Sequence, residues 1–120
     1  MIALLLTAQL AVAPPPPLKV ATYAYPKYDR AAALKPMADQ LGAALGRETQ
    51  VVLLETPDAL AEALRAGEVD VAMTNLAAYL AARSDPKVQA VAALDVPAAT
   101  AGRYRGVLLA RRQAGVAAMA

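Results

Sequence analysis

Thr74 and Asn75 are the residues best placed by type and position to do chemistry. They follow Val69, Val71 and Met73, an apolar alternation that suits a short buried strand, and they precede a helix-forming run over 76–83. Either side chain can cap that helix. Free backbone N–H groups and the positive end of a helix dipole favour an anion at such a junction. Open α/β sheets take their ligands where strand carboxyl ends feed helix amino ends. Tyr23 and Tyr25 form the second pair of candidates, since a phenol offers a hydroxyl and an apolar wall together. Lys27 and Tyr28 sit in the same stretch and rank below them, because an exposed lysine is usually just solvated. The loop at 74–75 carries no Arg or Lys, so hydrogen bonding rather than a buried counter-charge is expected to hold the anion. Tyr79 is expected in the core and Asp70 at a strand edge.

Composition removes most competing chemistries. The chain has no histidine and no cysteine, which takes away the commonest general base, the usual zinc ligands and the thiol nucleophile. Asp58 and Glu62 are spaced for one helix face, most simply its solvated face, and Glu68 and Asp70 flank a turn. Neither pair stands beside a nucleophile. Gly42 and Gly46 fall in or after a helix and outside any G-x-x-x-x-G-K loop. No catalytic residue, metal site or cofactor is therefore assigned, and the chain is read as a binding protein rather than an enzyme. A net charge of +2, with basic residues scattered among acids, gives no reason to expect nucleic acid.

The elements that must position these residues alternate along the chain. A strand is expected over 18–23, and then a helix capped by Asp29 and running to about Leu45. Leu34, Met37, Leu41 and Leu45 would form the apolar face of that helix. Pro36 predicts a kink or a later start, and Gly46 a stop. A second strand is expected over 49–55. Thr56-Pro57-Asp58 then opens a helix that Gly67 closes. The third strand and helix are those around Thr74 and Asn75. A fourth strand is expected over 87–95, a loop over 96–102 and a fifth strand over 104–110. Short connections between alternating strands and helices imply a three-layer α/β domain, its sheet mainly parallel with helices on both faces. With 120 residues the chain has room for about one such domain.

The termini have characters of their own. The apolar run 2–6, small residues at Ala11 and Ala13 and the prolines 14–17 match a cleavable secretory signal over 1–13, followed by a stiff leader. No Lys or Arg precedes the apolar run. The stretch after 110 carries no closing helix or acidic cap, so the chain reads as cut.

Three motifs in this order resemble one family. They are Leu18-Lys19-Val20-Ala21-Thr22-Tyr23 leading to Pro36-Met37-Ala38-Asp39-Gln40-Leu41, then Val69-Asp70-Val71-Ala72 through Ala78-Tyr79, and finally Tyr104-Arg105-Gly106-Val107-Leu108-Leu109. The chain is similar to the phosphonate-, phosphite- and phosphate-type substrate-binding proteins of bacterial ABC transporters, which have the type 2 periplasmic-binding-protein fold. Gly106 stands where the family commonly has serine, and Thr74-Asn75 where it often has glycine. The resemblance implies an exported protein whose residues 18–120 form the first lobe of a two-lobe binding domain. It also implies a small oxyanion in the cleft and an ABC permease as partner. A sensory input domain of a signalling kinase, which uses the same fold, and a truncated remnant remain as alternatives.

Overall fold

The computed structural model describes residues 11–103. The chain divides into two units, Met1–Gln89 and Ala90–Ala120, and the candidate residues all belong to the first. Its centre is β1 (Leu18–Tyr23), flanked by β2 (Thr49–Leu54) and β3 (Val71–Ala72) in the order β2-β1-β3, with both pairings parallel. In register, Leu18 faces Thr49 and Tyr23 faces Leu54, while Val20 and Ala21 face Val71 and Ala72.

A central parallel strand must bury both faces, and β1 does so with alternate side chains. Leu18 and Val20 pack with Leu34 and Ala38 of α1 (Arg30–Leu45), while Ala21 and Tyr23 pack with Leu60 and Ala63 of α2 (Pro57–Ala66) and with Val69. One helix thus covers each side of the sheet, as expected. On the α2 side lies α3 (Leu76–Ala82), where Ala78 and Ala82 meet Ala61, small residues that let two helices approach closely.

Local chemistry sets the ends of these helices. The Asp29 carboxylate accepts from the Ala32 N–H at 3.0 Å, and the Thr56 hydroxyl accepts from Ala59 N–H at 3.1 Å with Pro57 at the first helical position. Both helices stop at glycines in the left-handed region, Gly46 at φ 60° and Gly67 at φ 74°. Asp70 takes the edge role expected of it. Its carboxylate accepts from the Lys19 N–H at 2.8 Å while its own N–H donates to the Lys19 carbonyl at 3.0 Å.

Three expectations are corrected and a fourth is decided. Helix α1 starts at Arg30, directly after its expected Asp29 cap and with Pro36 inside it, rather than later. Pro36 is exposed, so the Ala32 carbonyl that loses its partner has access to water. Leu45 is 61% exposed and lies off the buried stripe, which continues instead through Ala38 and Gly42. Residues 87–95 form no strand: Val91 and Leu94 are exposed, and no neighbouring strand among the described residues takes their backbone groups. The stretch expected as a loop over 96–102 contains a single helical turn, α4 (Ala98–Ala101). The fifth strand over 104–110, the third family motif and most of the signal segment lie outside the described residues.

Candidate functional site

Because all three strands run the same way, their carboxyl ends share one edge of the sheet. Residues 24–29 leave that edge from β1 into α1, 55–56 from β2 into α2, and 73–75 from β3 into α3. The two groups of sequence candidates therefore reach the same edge from neighbouring strands. Two contacts lock those strands together there. The Met73 N–H donates to the Ala21 carbonyl at 2.9 Å, and the buried Thr22 hydroxyl donates to the Met73 carbonyl at 3.1 Å. Thr74 lies two residues beyond Ala72, the last paired residue of β3, and follows Met73 out of this edge.

Each candidate has a distinct environment. Thr74 is exposed, and its hydroxyl has no hydrogen bond among the described residues. Asn75 caps α3, its Oδ1 accepting from the Ala78 N–H at 2.9 Å, which leaves its side-chain N–H groups for another partner. Tyr23 is 8% exposed and is a core residue first, whereas Tyr25 is 40% exposed and meets Tyr28 edge-on, ring centres 5.2 Å apart. Lys27 is exposed, and Tyr79 is half-buried on α3. Asp58 and Glu62 lie on the exposed side of α2, a solvated face. Among the described residues no cluster of acidic side chains is arranged to hold a metal ion.

Sequence reasoning misses Arg30, the first residue of α1. Its guanidinium carbon lies 4.0 Å from the centre of the Tyr23 ring, 5.5 Å from Tyr25 and 5.8 Å from Tyr28. Its Nε donates to the Tyr28 hydroxyl at 3.4 Å, a long contact. Partial burial pulls the Arg30 pKa down. Hydrogen bonding to Tyr28 and to Tyr23, and the attraction of their phenolates where they ionise, outweigh it, and the group ends above its ordinary value. A raised pKa means that the charge, and whatever it stabilises, is lost only as pH climbs through that still higher value. Arg30 is cationic throughout the working range. The signal that could have found it was four residues of complementary chemistry, Tyr23, Tyr25, Tyr28 and Arg30, crowded into one strand-to-helix connection.

The segments that leave this edge of the sheet thus carry hydroxyl, amide and guanidinium donors. Residues 22–120 match the family model of the phosphonate ABC transporter periplasmic substrate-binding protein. The chain belongs to that family. The match begins at Thr22, so it takes in both candidate groups at the sheet edge. No curated protein and no solved structure gives a significant match. The family is that of the periplasmic substrate-binding components of ABC phosphonate transporters, a transport-associated family rather than a family of enzymes. The three-strand parallel sheet with helices on both faces fits one lobe of a periplasmic-binding-protein fold.

Proposed function

We propose that the chain captures a small oxyanion of the phosphonate, phosphite or phosphate class at the carboxyl edge of its sheet, outside the cytoplasm, and delivers it to an ABC permease. Thr74, Asn75, Tyr25 and Tyr23 are the ligand-contacting residues in this proposal. The observation that carries it is the parallel pairing of β1 with β3 in a phosphonate-family chain, because it brings the Tyr23–Tyr25 and Thr74–Asn75 segments to one edge. Thr74 offers an unengaged hydroxyl, and Asn75 offers amide N–H donors whose direction is set by its capping bond. Tyr25 adds a half-open phenol that can both donate to an oxygen and wall off the organic part of a phosphonate.

In this scheme residues 1–13 direct export, 14–17 are a leader and 18–120 form the ligand-binding lobe. A single preparation tests the whole proposal. The full chain is expressed with its own N-terminus, recovered from the extracytoplasmic fraction and titrated calorimetrically with methylphosphonate, phosphite and phosphate. A product beginning at Pro14 that binds one of these anions is the expected result, with Thr74→Ala weakening that binding about tenfold, the value of roughly one good hydrogen bond. Retention in the cytoplasm, or failure to bind all three anions, would sink it.

A further inference from the structure

We propose that Arg30 is the charged ligand contact of this lobe, a guanidinium seated on Tyr23, Tyr25 and Tyr28 that takes two oxygens of one phosphonate-class anion; this rests on the function proposed above. The position is the first argument. Tyr23 ends β1 and packs on the α2 side of the sheet, whereas Arg30 begins α1, which covers the other side. A guanidinium 4.0 Å from the Tyr23 ring therefore crosses over the carboxyl end of β1, the edge that the ligand is proposed to occupy.

The cost of that position is the second argument. A cation in the first turn of a helix stands at the positive end of the dipole, where an acid would be favoured. Among the described residues no carboxylate forms an ion pair with it; the one such pair is Lys35 with Asp39. What holds Arg30 there is contact with the faces of three tyrosine rings.

The donors left over are the third argument. Nε is engaged by Tyr28 and the Tyr23 hydroxyl also draws on the guanidinium, which leaves three of its five N–H groups without an acceptor among the described residues. Two of them, lying parallel in the guanidinium plane, match the two oxygens of a phosphonate in a way that a lysine ammonium cannot. The Tyr28 hydroxyl accepts from Nε and keeps its own O–H for a further oxygen. Arginine thus supplies the counter-charge that the loop at 74–75 lacks.

The test uses the full chain, methylphosphonate as the probe, calorimetry for affinity and the Arg30 Nε–H resonance for contact. Arg30→Gln is expected to weaken binding at least tenfold and to flatten its dependence on salt, and Arg30→Lys to restore only part of the loss. The Arg30 Nε–H signal of the wild type should move in step with saturation. Wild-type affinity in Arg30→Gln, or a signal that stays put while binding proceeds, overturns the assignment. If Arg30→Gln does not fold, wild-type affinity in Arg30→Lys overturns it equally. The two readings fail separately: loss of binding in Thr74→Ala with none in Arg30→Gln removes Arg30 alone, and a wild type that binds no oxyanion removes both.

Discussion

The Asn75 side chain closes the first turn of α3 through its bond with the Ala78 N–H, so its replacement removes a helix cap whatever else it does. Asn75→Ala is expected to cost about 1 kcal/mol of stability, read as a lower urea midpoint. Asn75→Asp separates the two roles. The carboxylate caps as well as the amide and keeps the midpoint, but it removes the N–H donors and sets a negative charge beside the proposed anion, so binding should collapse. Equal anion affinity in Asn75→Asp and wild type would leave Asn75 a cap only. Thr74 and Asn75 were legible as candidates because capping residues after an apolar alternation mark a strand-to-helix junction. Arg30 was not, because an arginine after an aspartate cap looks like a solvated first-turn residue until the Tyr23 ring is found beneath it.

Helix α1 and strand β2 meet at a junction with no spare room. A Cβ on Gly42 would come within 2.8 Å of the Arg47 carbonyl oxygen and 2.9 Å of Thr49 Cγ2. Alanine is the better helix former by about 1 kcal/mol, yet the first of those contacts is with backbone, and the Arg47 N–H already donates to the Gly42 carbonyl at 3.0 Å. The clash is expected to win: Gly42→Ala should be net destabilising by about 1–3 kcal/mol in thermal melts. A variant more stable than wild type would show that the 46–48 turn can give way. The pattern of apolar residues located α1, but it named Leu45 for a stripe that in fact runs through Gly42. That choice depends on where β2 lies, and helical spacing alone does not contain it. The expected strand over 87–95 failed for a related reason. A strand exists through pairing, and an alanine-rich apolar run with no partner strand among the described residues has no ladder there to join.

Across the first unit, two apolar clusters meet back to back through β1, so the sheet is held from both sides by few large side chains. Leu60 and Val20 are the largest that are completely enclosed. Leu60→Ala is expected to cost about 2–5 kcal/mol through lost burial and the cavity left behind. That is a large share of the roughly 5–15 kcal/mol typical of a domain. Circular dichroism should show the variant partly unfolded at temperatures where the wild type is intact. A loss under about 1 kcal/mol would mean that α2 collapses onto the sheet and refills the space. Binding should fall in step with the folded fraction, since the ligand edge is made by the strands that this core aligns.

The element order as far as α3, the helix caps at Asp29, Thr56 and Asn75, the glycine stops at Gly46 and Gly67, and the absence of histidine and cysteine chemistry were all local, and each follows from a residue's own conformational or chemical preference. Three things required the assembled sheet. The parallel pairing of β1 with β3 brings the segments at Tyr23 and Thr74, which lie far apart in the chain, to one edge of the sheet. Helices on opposite faces let Arg30 reach across the end of β1 to a ring packed on the other side. The backbone partners that make a run of apolar residues a strand come from distant segments, and local preference carries no information about where those segments will be.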